Sequence, residues 1–225
     1  MPVVYACIVP AATSERADAS IAEVAAEIST VAIDVAIVVA KAERPAQAIE
    51  IGATGPAAGL AEAILRAAAA DAIPAVERRL KASAPEPIEH VISGLPRVVI
   101  ATSRLQPRFH FEFGRVAGRT LGERDERAAV ICAVEVAAED RAGRAFGERY
   151  RRAIEAWDVK RLVGLESETR RLAGEDCVAQ TAVLMGALSW CRIQPRVLHY
   201  DENAGAIVVA IDVLGARRKA SHNAE

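Results

Sequence analysis

The chain reads as α/β: a single three-layer domain with a largely parallel central sheet of about six strands, a C-terminal hairpin and helices on both faces. Three observations predict this. Short, continuously apolar runs rich in β-branched residues alternate with helical patterns, as buried parallel strands and their crossover helices do. The apolar share is 52% but aromatics are only 4%, so the core is built from small side chains that let helices lie close to a sheet. At 225 residues the chain suits one sizeable domain, placed at 1–214, with 215–225 a flexible basic tail carrying Arg217, Arg218 and Lys219.

Val3 to Pro10 is the first buried strand, and Val31 to Ala40 the second. Between them Ile21, Val24, Ala25 and Ile28 repeat at helical spacing, and Ser20 with Glu23 has the pattern of a capping box. Ala42 to Gly55, with Pro45, Gly52 and Gly55, reads as irregular. Ala57 to Ser83 reads as a helix that Pro74 kinks or splits. Ala84 to Pro96 is a proline-rich connector into a strand at Val98 to Ile100. A helix over Phe109 to Leu121 leads to a strand over Ala128 to Val136. Phe146, Tyr150, Ile154 and Trp157 then form an apolar helical stripe; Asp158 caps a further helix that runs to Leu172 and ends at Gly174. Val178 to Trp190 is apolar all round, as a helix covered on every side is. Val197 to Tyr200 and Ala206 to Val213 close the sheet as a hairpin turned by Asp201 to Gly205.

The net charge of −2 provides no global field for nucleic acid or an anionic membrane. Cys7, Cys132, Cys177 and Cys191 lie in apolar surroundings without zinc spacing, which fits buried free thiols in a reducing compartment. No signal-peptide pattern is seen at the N-terminus, and Val31 to Ala40 is too short to span a bilayer, so a cytoplasmic location is expected.

Ligands of open α/β sheets bind at the carboxyl ends of the strands. The ends read here carry mostly methyl groups, Ala11 among them, with Lys41, Glu43, Glu135, Glu139 and Asp140 as polar exceptions. Gly52, Gly55 and Gly59 match neither the Walker loop nor the dinucleotide fingerprint, and loop geometry accounts for them. His90, His110, His199 and His222 form no helical metal pair.

AGEDCVAQTAVLMGAL and RVLHYDENAGAIVVAI, with the helix around Gly114 and the opening strand ending Val9-Pro10, resemble the class III extradiol ring-cleavage dioxygenase family, the catalytic-subunit (LigB-like) type and its Memo-like relatives. The resemblance implies this fold and, in working members, a non-haem iron held by histidines and a carboxylate, with a further histidine as acid/base. The first ligand histidine would stand at Ala11, the second around Lys41, and the acid/base histidine would close the segment Cys132 to Ala138. Glu175 or Asp176 is left as the remnant of the last ligand. The candidate pocket is therefore Ala11, Lys41, Glu135, Glu175, Asp176, His199 and Tyr200, with no catalytic residue assigned and no metal or other cofactor expected. The expectation is a domain without ring-cleavage activity that binds a small molecule or a protein, with a homodimer as one form of partner. The alternative is an oxygenase or hydrolase using iron or zinc in a site rebuilt around Glu175 and Asp176.

Overall fold

A computed structural model of the protein describes residues 3–11, 17–44, 46–80, 84–136, 140–165 and 177–216. Four parallel strands make the middle of its sheet: β1 (Val3–Pro10), β2 (Val35–Lys41), β5 (Arg97–Thr102) and β6 (Ala128–Val134). They are buried almost throughout, which is why their sequences are continuously apolar rather than alternating. The sheet has eight strands rather than about six, in the order β4-β3-β5-β2-β6-β1-β8-β7. The two unforeseen members are β3 (Ile49–Thr54), antiparallel to β5, and β4 (Ala75–Glu77), a three-residue edge parallel to β3. Ile49 and Ile51 sink into one face while Glu50 and Gly52 take the other, so Ala42 to Gly55 is not irregular throughout. The C-terminal hairpin, β7 (Cys191–Asp201) and β8 (Ala206–Ala216), is longer than expected and joins through β8, antiparallel to β1.

Helices cover the two faces unequally. Ile21, Val24 and Ile28 of α1 (Asp18–Thr30) and Ile88 and Ile92 of α3 (Glu86–Ile92) pack on one face, against Cys7, Val38 and Ile131. The other face carries α2 (Ala58–Ala70), α4 (Pro107–Gly122), α5 (Arg141–Glu155), α6 (Val159–Val163) and α7 (Cys177–Ala187), against Ile8, Ile37, Ile100 and Val130. Each fully buried Val or Ile contributes about 1.5–3 kcal/mol of apolar burial. The structure therefore bears out the three-layer architecture. Among the described residues, no helix is long and apolar enough to cross a membrane.

Helix ends depart from the sequence reading in instructive ways. Ser20 lies inside α1, whose N-cap is Ala17, so the Ser20–Glu23 pair is not a capping box. Pro74 does not kink α2. The helix has already closed in a Schellman turn, with Ala72 at φ 55° and the Ile73 N–H donating to Ala68 O at 2.9 Å. The same device ends α5: Trp157 takes φ 47° and the Asp158 N–H donates to Ala153 O. Asp158 then caps α6 by accepting from the Arg161 N–H, as expected, but the helix closes at Val163 with Gly164 as its C-cap rather than running on to Leu172; residues 166–176 lie outside the described residues. The proline-rich stretch from Ala84 contains α3, because Pro87 sits in its first turn, where no N–H is required.

Helices α4 and α7 run parallel and meet through three glycines. A Cβ on Gly114 would lie 2.1 Å from Val183 O, one on Gly118 2.3 Å from Ala187 O, and one on Gly186 2.1 Å from Phe111 O. Only hydrogen at these positions lets the two backbones approach so closely. Gly114→Ala or Gly186→Ala is expected to cost about 1–3 kcal/mol or more through overpacking. Gly122→Ala, where a Cβ meets nothing among the described residues, should be neutral or slightly stabilising; urea denaturation of the three variants checks the contrast.

Across the N-terminal edge of the sheet, Arg127 forks onto Asp34, with Nε and Nη2 donating at 3.0 Å each and the backbone N–H at 2.8 Å. These hydrogen bonds hold the Asp34 carboxyl down at about 2. A depressed carboxyl pKa gives stability that is present above the unfolded value and lost as pH falls through the folded one. Asp34→Asn should therefore flatten the fall in thermal midpoint between about pH 4 and pH 2 relative to the parent protein, which thermal unfolding at stepped pH measures.

Candidate functional site

The chain order of the sheet creates a cleft. After β2 the chain must pass over the carboxyl end of β5 to reach β3, because β5 sits between them. The connection is tied down there: the Arg104 N–H donates to Ala46 O at 3.0 Å. Lys41, Ala42, Glu43, Arg44 and Ala46 thus face Thr102, Ser103 and Arg104 across a chamber of about 350 Å³. A second chamber of about 320 Å³ shares Lys41, Glu43 and Arg44 and has Val99, Ala101 and Glu50 as its floor. Its far wall is Arg78, Arg79 and Leu80, pinned by the Arg78 N–H donating to Ile51 O at 2.8 Å.

Five cations line these chambers in a chain whose overall charge is negative. Arg78 is paired with Glu50, a carboxylate only 6% exposed, and Lys41 lies 4.0 Å from Glu135. Arg44, Arg79 and Arg104 have no carboxylate partner among the described residues. Both walls are fixed to the sheet by backbone hydrogen bonds, so the segments that carry the charges are held in place.

The expected pocket is divided by the structure. Ala11, Lys41 and Glu135 come together at the adjoining ends of β1, β2 and β6, with the Ala11 N–H donating to Val134 O. His199 and Tyr200 share that edge but lie on β7, four strands from Lys41, about 19 Å away at ordinary strand spacing. The two do border one open concavity of about 560 Å³, with Glu148, Arg151 and Asp201. Tyr200 pairs with Ile207 on the α5 side, its hydroxyl against Gly147 and Arg151 over its ring at 5.7 Å. His199 follows a bulge opposite Val208 on the α1 side, and its Nε2 is buried without a hydrogen-bond partner. Burial, with Glu148 nearby, pushes the Tyr200 hydroxyl up. Glu175 and Asp176 lie outside the described residues, as does Glu139.

His110 has a positioning task. Fully buried in the first turn of α4, its Nε2 accepts from the Ser103 N–H at 3.1 Å, and Nδ1–H donates to Gln106 O at 3.3 Å. It thereby braces the turn that forms the floor of the first chamber. The four cysteines are buried, and burial raises the thiols of Cys7 and Cys132 well above the usual range.

Donor chemistry at the three strand ends does not suit a non-haem iron. A methyl group, an ammonium and a carboxylate shared with that ammonium offer no imidazole. Among the described residues no group of three His, Cys, Asp or Glu side chains is placed to hold a metal ion. The arginines of the cleft were not foreseen from sequence. The available signal was that Arg104 follows β5 and Arg78-Arg79 follow β4, but it has meaning only once β3 is recognised.

Fold and site together define an α/β domain with a cation-lined cleft at the carboxyl ends of its parallel strands. No family model matches the chain, and no curated protein matches it in sequence. Among solved structures it is similar to an uncharacterized protein, JW3007, of Escherichia coli K12, with 15% identity and a TM-score of 0.64 over 93% of this chain and 99% of that one. At that identity the likeness is one of fold.

A Cβ at Gly52 would lie 2.4 Å from Arg78 O and 3.1 Å from the Leu80 N. Gly52→Ala should push the Arg78–Leu80 wall off the sheet, at a cost of about 1–3 kcal/mol, and raise protease sensitivity beside Arg78 and Arg79. Denaturation and limited trypsin digestion of the variant read both effects.

Proposed function

We propose that this protein is a binding domain on an extradiol-dioxygenase-like scaffold, without ring-cleavage chemistry, that takes a small anionic molecule in the cleft between Lys41, Arg44, Arg78, Arg79 and Arg104. The observation that carries the reading is the cleft itself: a preformed concavity of ligand size at the carboxyl ends of β2 and β5, with a surplus of guanidinium groups. Guanidinium groups suit carboxylate and phosphate oxygens because their donors form a rigid, always-charged fork.

What supports the absence of ring cleavage is the chemistry of Ala11, Lys41 and Glu135. These are the positions at which the resemblance puts a first ligand, a second ligand and the approach to an acid/base histidine. An ammonium beside Glu135 carries no lone pair for a metal and already balances the carboxylate. The cleft also lies on the β3 side of Lys41, away from β1.

Thermal-shift and calorimetric titration with acetate, benzoate and inorganic phosphate test the reading. Saturable stabilisation that weakens with added salt and is lost in Arg44→Met is the expected result. Stoichiometric iron or zinc in protein expressed with those metals, removed by Glu175→Ala or Asp176→Ala, would overturn it in favour of a rebuilt metal site.

A further inference from the structure

The cleft is two chambers with one shared ridge, and its charges count out unevenly. Lys41 is balanced by Glu135, and Arg78 by Glu50. Among the described residues that leaves Arg44, Arg79 and Arg104 against Glu43, a surplus of two positive charges. Arg79 belongs to one chamber and Arg104 to the other, while Arg44 and Glu43 stand on the ridge between them. The two unpaired end groups are thus separated, and an anionic group resting on one does not satisfy the other.

We infer that the ligand is a dicarboxylate, one carboxylate in each chamber and its apolar chain across the ridge formed by Lys41, Glu43 and Arg44. This inference rests on the anion-binding reading of the cleft and names the class of molecule. Two carboxylates match the surplus of two, whereas two phosphates would bring about twice that charge against Glu43 and Glu50. The environments match as well. Val99, Ala101 and Leu80 give the second chamber an apolar floor and side on which a methylene chain can lie. Arg104 gives the first chamber a guanidinium donor for a terminal carboxylate.

Strand geometry sets the length. The floors of the two chambers are successive stretches of chain centred near Ile100 and Ser103; since the second lies in the turn after β5, they are at most about 10 Å apart. Allowing for the reach of arginine, a linear dicarboxylate of about six to eight carbons spans that gap. Shorter diacids would engage one chamber at a time.

Isothermal titration of the full chain with adipate, pimelate and suberate, set against hexanoate and octanoate, tests the inference. The expected result is a dicarboxylate affinity about five- to tenfold above that of the monocarboxylate of equal length. Arg79→Met and Arg104→Met should each remove that advantage while leaving monocarboxylate binding measurable. Both side chains are exposed, and unchanged thermal midpoints would show that the variants fold. Equal affinity for mono- and dicarboxylates, or an effect confined to one of the two arginines, would overturn the two-headed ligand and leave anion binding standing. Failure of every carboxylate and of phosphate to bind would remove both readings together.

Discussion

The fold depends on the seam where Gly114, Gly118 and Gly186 let α4 and α7 touch backbone to backbone. Because α7 presses so closely on α4, it can also reach the sheet over β6, where Thr181 meets Tyr150 at 2.6 Å and hydrogen-bonds the Cys132 thiol. The position of α4 in turn decides where His110 stands, and His110 fixes Ser103. A packing constraint in the middle of the molecule is transmitted by these contacts to the floor of a cleft at its edge. Side-chain volume is the currency throughout: a chain with few aromatics fills its core by bringing elements close, and glycine is the limit of that strategy.

The cleft is a product of topology before it is a product of chemistry. A connection that must step across a strand inserted later in the sequence cannot be short or flat, and the residues it carries end up over that strand's carboxyl end. Glu50 and Gly52, on the outward face of β3, then meet the segment after β4, so the second wall arises from the same excursion. Toward the other end of the strand order, at β1, β8 and β7, the charges are arranged differently. Arg196 bridges Glu27 and Asp212, and Tyr5 donates to Glu27 at 2.7 Å; burial would raise the Glu27 carboxyl, but the hydrogen bonds from Arg196 and Tyr5 outweigh it and hold it low. That network is closed on itself, which is what separates it from the arginines of the cleft.

Much of this was legible in the sequence where one physical signal dominated. The buried parallel strands announced themselves through unbroken runs such as Val3 to Pro10, and α5 through the stripe of Phe146, Tyr150 and Ile154. The signal failed where two principles competed. Ile49 and Ile51 alternate correctly for a strand, but Pro45, Gly52 and Gly55 around them read as loop, and the cause of Gly52 is the backbone of Arg78 lying on it. Ser20 and Glu23 have the capping-box spacing, yet α1 starts earlier. His199 and Tyr200 do border one concavity, but it lies four strands from Lys41, a separation that only the strand order reveals. The arginines at 44, 79 and 104 gave no pattern at all, since their convergence exists only in the folded sheet.

The place of β1 has a consequence for how the molecule is made. The first strand of the chain lies between the sixth and the eighth. One side of it stays open until β6 (Ala128–Val134) has been synthesised, and the other until β8, the last of the described strands, arrives. Strands β2, β5 and β6 can assemble before that, but they leave an apolar ribbon waiting for its neighbours. Such a chain gains most of its order in one late, cooperative step dominated by distant pairings. A nascent chain that stalls before β8 exposes the strand edge most prone to pair with another molecule.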